Sequence, residues 1–149
     1  MNIIDIIKFQ KERKNKVLVD TGLSEYKLGA KKHLELQIKL SSLAEETNCY
    51  KYWIDDSFSP DRDTIFKKYI DFLERIFNFG LDKSYLNFNS VPFSKNDYCL
   101  SDQFLNLYVD INDLLVSSSE DHFLTLLEDT LSLGITLGYS KEEILTSFI

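Results

Sequence analysis

Apolar residues return every three to four positions along almost the whole chain, and little interrupts them: 149 residues contain five glycines and two prolines. That period is the signature of helices that bury one face, and strands, which alternate every two residues, do not produce it. The run "DTIFKKYIDFLERIFNF" is the densest example, with Ile65, Phe66, Tyr69, Phe72, Leu73, Ile76 and Phe77 on one side. No strand signal competes, and no repeat, low-complexity tract or linker marks a second domain. The expected architecture is an all-α bundle of about five to six helices, a single domain over 1–149.

Local signals place the helices. A first helix is expected over 2–16, with Ile3, Ile6, Ile7 and Phe9 inward, and a second over 30–48 after the polar connection "VDTGLSEYKLG". In "SFSPDRD", Ser59 reads as an N-cap and Pro60 as the first helical residue, and Gly80 reads as the end of the helix that follows. Residues 81–100 are irregular and aromatic. A fourth helix starts near Ser101 and a fifth near Ser119. A last one opens at Ser140, with Glu143 completing a capping box.

Composition removes several functions. No apolar run is long enough to span a bilayer, and "MNIIDIIKFQ" is too short and too interrupted for a signal peptide. Cys49 and Cys99 lie at no metal-like spacing, which suits a reduced cytoplasmic protein. Two histidines, His33 and His122, exclude a histidine-rich metal site. The net charge is −7, and residues 97–149 hold ten acids against the single base Lys141. An acidic half repels a phosphate backbone, so neither nucleic acid nor membrane is an expected partner. The basic run "KFQKERKNK" reads as the solvated side of the first helix.

Two polar stripes carry the chemistry. Glu35, Lys39, Ser42 and Glu46 recur at steps of four, three and four on one helix, and Thr64, Lys68, Asp71, Arg75 and Asn78 do so on the next. Helices joined by a compact loop pack antiparallel, which would set the stripes opposite each other. Solvated faces laced by ion pairs are one outcome. A nucleotide cleft is the other, because "CYKYW" between the helices puts aromatic rings around a lysine, a combination suited to a base beside a phosphate.

The order "LAEETNCYKYW", "IFKKYIDFLERIFNFGL", "LSLGITLGYSKEEILTSF" resembles the dimeric all-α dUTPases of bacteria and phages, within the wider MazG-like group of all-α NTP pyrophosphatases. The resemblance covers most of the chain and is weakest over 81–100. It implies a homodimer that hydrolyses dUTP to dUMP and pyrophosphate with Mg²⁺. It also implies four metal-binding carboxylates, a Glu-x-x-Glu on one helix and a Glu-x-x-Asp on the next. Mg²⁺ is a hard ion that takes carboxylate and phosphate oxygens.

This sequence departs at those positions. The resemblance gives the ligand roles to Lys39, Ser42, Lys68 and Asp71, of which only Asp71 is a carboxylate. At an effective dielectric of about 20, an ammonium near 4 Å from Mg²⁺ costs about 8 kcal/mol. No catalytic set is intact, and no cofactor is expected. An alternative acidic site of Glu46, Asp71 and Glu74 would bring Mg²⁺ back, although Glu74 falls where the family has a histidine. The family's phosphate-engaging C-terminal stretch is also expected to be missing, since the sequence reaches "LTSFI" just short of it.

The expectation is therefore a dUTPase-like pseudoenzyme that binds a protein partner or an uncleaved nucleotide; the alternative is an active dUTP or dNTP pyrophosphatase with a rearranged metal site. Gln10, Lys51 and Trp53 match positions that contact nucleotide in the family: Gln10 at a base edge, Lys51 at a phosphate, Trp53 as a wall. Their ordinary counterparts are an exposed amide, a surface lysine and a core tryptophan. Phage members associated with binding a repressor make a regulatory protein partner an option, the acidic 97–149 surface being the first face to consider. Pairing with an active paralogue is a third.

Overall fold

The computed structural model describes residues 1–14 and 16–149. Six helices follow in order: α1 (Ile4–Lys14), α2 (Glu25–Thr47), α3 (Arg62–Lys83), α4 (Leu100–Val116), α5 (Glu120–Thr136) and α6 (Lys141–Thr146). Among the described residues there is no strand, only an isolated antiparallel bridge between Asn2 and Ser90. No helix is long and apolar enough to cross a membrane. The all-α expectation holds.

The strongest packing joins α2 to α3 and α4 to α5, with α1 laid on α3 and α3 in contact with α5. The apolar side of α3 forms the centre: Tyr69, Phe72, Leu73, Ile76 and Phe77 are fully buried. Tyr69 ties α3 to α5, its hydroxyl donating to the Thr130 carbonyl at 2.9 Å. Gly134 on α5 leaves the room that ring needs, since a Cβ there would overlap the Tyr69 hydroxyl. Asp110 of α4 is also buried, against Asp129 of α5.

Several boundaries differ from the sequence expectation, each for a local reason. α2 starts five residues early, at Glu25, because the Ser24 hydroxyl caps it by accepting from the Lys27 amide at 3.1 Å. That cap carries the helix through Gly29, a residue worth about 1 kcal/mol against helix. For α3 the N-cap is Asp61, whose carboxylate accepts from the Asp63 and Thr64 amides, so Ser59 and Pro60 precede the helix. Nor does Gly80 end α3. The helix runs on to Lys83 and closes at Ser84, which takes a left-handed φ of 57° while the Tyr85 amide donates back to the Gly80 carbonyl at 2.9 Å. Gly80 is a packing position: a Cβ would stand 2.5 Å from the Phe123 ring.

Ser140 caps α6 through the Glu143 amide, but the return half of the box goes elsewhere, because the Glu143 carboxylate pairs with Arg62 at 2.8 Å. The irregular 81–100 stretch packs Tyr85, Leu86, Phe88 and Phe93 against the core, as its aromatics suggested. It is further pinned to the start of the chain by the Ile3 amide donating to Asn89 and the Val91 amide donating to Met1.

Candidate functional site

The facing stripes exist. Helix α2 runs antiparallel to α3, and their polar sides meet in a seam of crossed ion pairs. Lys39 Nζ lies 2.8 Å from Asp71 Oδ2, and Lys68 Nζ lies 2.9 Å from Glu46 Oε2. On the other side of Asp71, Arg75 Nη2 reaches Oδ1 at 3.0 Å while its Nε lies 3.9 Å from Glu35 Oε2. Three cations therefore balance three carboxylates. Asp71 is gripped from both helices at once, one oxygen by Lys39 and the other by Arg75. The Lys39–Asp71 and Lys68–Glu46 pairs are about one-third exposed and Glu35 is about half exposed, so water screens these pairs and the separate worth of each is about 0.2–1 kcal/mol.

The positions that the resemblance gives to metal ligands are thus occupied differently. Lys39 and Lys68 are committed to carboxylates across the seam, Ser42 lies between Lys39 and Glu46 on the α2 stripe, and Asp71 already carries two cations. These residues do not fit a divalent ion: the ligand positions present ammonium groups, and the acids beside them are neutralised. Among the described residues, no group of three or more His, Cys, Asp or Glu side chains is disposed to hold a metal. The acidic set Glu46, Asp71 and Glu74 is divided between neighbours. Glu46 and Asp71 belong to the seam, whereas Glu74 is almost buried against α1, with Arg13 Nη1 2.5 Å from its Oε1.

Beyond α2, the link to α3 is longer than the compact loop expected, spanning residues 48–61. Asn48 ends α2 in a left-handed conformation, which an asparagine tolerates. Lys51 then folds inward, bonding Asp55 at 2.7 Å and lying 5.8 Å from the Trp53 ring and 5.9 Å from that of Phe58. The hydrogen bonds from Lys51 and Ser57 hold the Asp55 carboxyl at about 2, below the usual carboxylate range. Tyr50 and Tyr52 both stand edge-on to Trp53. Trp53 is half exposed, so it is no core tryptophan, and Tyr52 and Ile54 are almost entirely in solvent. Gln10 departs in the opposite direction: it is buried, not an exposed amide, and its Nε2 has no partner among the described residues.

Beside the seam lies a feature absent from the sequence expectation, a cavity of about 360 Å³ where the α1–α2 connection covers the start of α2 and the end of α3. The apolar triplet Val17–Val19 and Phe79 form part of its wall, where the cations Lys14, Lys31, Lys32 and Arg75 stand beside the acids Asp20, Glu35 and Asp82. Lys14 and Lys32 both pair with Asp82. Burial lowers the pKa of both ammonium groups, and the repulsion of Lys32 adds to the effect on Lys14. Arg75 Nε and Asn78 Oδ1, from two lining residues, are buried without a hydrogen-bond partner among the described residues. "VDTGLSEYKLG" reads as a polar connection, and only the run of three apolar residues at Val17–Val19, at and just before its start, hints at an apolar wall.

A family model described as dUTPase matches residues 2–149. No curated protein and no solved structure matches the chain.

Proposed function

We propose that this chain, which belongs to the dimeric all-α dUTPase family, is a non-catalytic member of it, a cytoplasmic homodimer that binds a nucleotide without cleaving it. The observation that carries this reading is the pair of ion pairs Lys39–Asp71 and Lys68–Glu46, which put fixed cations where the family's chemistry calls for a metal. A divalent ion there would have to displace two ammonium groups and strip two carboxylates of their partners, which Coulomb repulsion opposes. Binding survives such a change more readily than hydrolysis does. Phosphate needs positive charge, and of the four cations that line the cavity beside Asp20, Glu35 and Asp82, Lys31 enters no ion pair among the described residues, whereas hydrolysis also needs an activated water. The cavity volume falls within the range of small-molecule sites, about 300–1,000 Å³.

The test is a calorimetric titration with dUTP in Mg²⁺ and again in EDTA, with pyrophosphate release followed in parallel. Saturable binding that is the same in both buffers, without pyrophosphate, is the expected result. Mg²⁺-dependent pyrophosphate release would overturn the reading in favour of a rearranged site around Glu46, Asp71 and Glu74. Absence of binding in both buffers would remove the nucleotide and leave a protein partner as the function of the fold.

A further inference from the structure

Acid collects where α4 borders α5, and the neighbouring chain offers it no cation. Asp102, Asp110 and Asp113 fall on one row of α4, at steps of eight and three, and Asp129 of α5 acts on Asp110 as a neighbouring charge. No lysine or arginine lies between Lys95 and Lys141. None of these four acids enters an ion pair among the described residues. Asp110 is only 8% exposed, and its Oδ2 has no hydrogen-bond partner among the described residues. Asp113 stands in the last turn of α4, at the negative end of the helix dipole, and that turn holds no basic residue. The next row around α4 is apolar: Leu105, Val109 and Val116 recur at steps of four and seven, and each is more than half exposed. An acidic row beside an apolar one complements a helix that is basic on one flank and apolar on the other.

We propose that the α4–α5 crevice is a docking site for a basic amphipathic helix of a partner protein, with an arginine seated between Asp113 and Asp129 above Asp110, and apolar side chains laid on Leu105, Val109 and Val116. A guanidinium suits the crevice better than a metal ion. The acids are strung along two helices, and among the described residues no three His, Cys, Asp or Glu side chains converge to hold a metal. Arginine carries five donors in a planar fork and engages oxygens that do not converge. The apolar row favours a peptide over a free polyamine, because only a peptide brings side chains to cover it. Asp113 is exposed and Asp129 partly so, which leaves both open to a partner, while Asp110 adds its charge from below. Four acids held together without a cation cost the free chain stability, and docking would relieve that repulsion. This surface is separate from the cavity and does not depend on nucleotide binding.

The probe is a synthetic amphipathic helix with leucines along one face and arginines beside them, titrated calorimetrically against the full chain at physiological salt. Its control carries glutamine in place of arginine. The arginine peptide should bind saturably, and the control at least ~10-fold more weakly. Asp113→Asn with Asp129→Asn should weaken the arginine peptide at least ~10-fold while melting no lower than wild type, since the change removes repulsion. Glu142→Gln, which removes an exposed acid of α6, should alter affinity by less than about twofold. Carboxyl ¹³C NMR locates the contact: the bound arginine peptide should lower the Asp110 pKa, because a nearby cation favours the ionised form. Absence of saturable binding would overturn the proposal. So would a loss in Glu142→Gln equal to that in Asp113→Asn/Asp129→Asn, or an Asp110 titration unmoved by the bound peptide.

Discussion

Burial, followed by the neighbouring carboxylates of Asp129 and Asp113, pushes the Asp110 carboxyl up to about 8. In the unfolded chain the same group ionises near its ordinary value of about 3.9. Between those two values the folded protein holds a proton that the unfolded chain has lost, so this group's contribution to stability falls as pH rises through the window. Asp110→Asn is neutral at every pH and removes the titration. Its melting temperature should exceed wild type by a margin that widens from pH 4 to pH 8 and then levels off; a margin flat in pH would show that Asp110 ionises normally. Glu74 poses the opposite problem, an acid kept in place by one cation. Arg13→Ala would leave that carboxylate nearly buried with no partner, a loss of about 1–3 kcal/mol. Glu74→Gln with Arg13→Ala should recover much of it in urea unfolding. Neither environment is legible in the sequence, because burial on a helix side depends on what packs there, and α1 covers Glu74 by tertiary contact alone.

At the scale of elements, the α2–α3 hairpin is the most legible part of the chain. Stripe spacing alone sets the polar faces of the two helices against each other, because antiparallel packing of two amphipathic helices leaves few registers, and the pairs Lys39–Asp71 and Lys68–Glu46 follow. Helix ends are harder to read. Ser24, Asp61 and Ser84 act as caps through hydrogen bonds to particular backbone groups, and a sequence offers several serines and aspartates near each end. Gly80 misleads for a related reason: a glycine late in a helix can end it or admit a neighbour, and here it admits Phe123. Gly80→Ala should therefore destabilise by about 1–3 kcal/mol in urea unfolding, through overpacking against Phe123. For the seam, Lys39→Glu/Ser42→Glu/Lys68→Glu would place three new carboxylates, two of them in place of cations, beside Asp71, Glu35 and Glu46. That variant should melt below wild type in EDTA and recover in millimolar Mg²⁺, while wild type melts at the same temperature in both. Equal Mg²⁺ responses would show that these positions do not govern metal binding.

Over the whole molecule, fold class and function are unequally written in the sequence. Apolar spacing and the near absence of glycine and proline lead directly to a helical bundle, since each local preference agrees with the final packing. The cavity lined by Val17–Val19 arises only when distant segments meet, as do the burial of Gln10 and the exposure of Trp53. The uneven charge also acts at this scale. Helices α2 and α3 supply the cations of the seam, and the last third of the chain supplies nearly uncompensated acid. That imbalance steers any basic partner toward the acid-rich last third of the chain.

Held together by its own side-chain charges, the α2–α3 seam takes its sensitivity from the surrounding electrolyte. A carboxylate nest closed by magnesium loosens when chelators or competing phosphates draw the ion away. Lysines tethered by the backbone are present at fixed stoichiometry from the moment of folding and cannot be scavenged. Monovalent salt, which shortens the reach of every half-exposed charge, is what this hairpin feels instead, so sodium chloride becomes its natural rheostat.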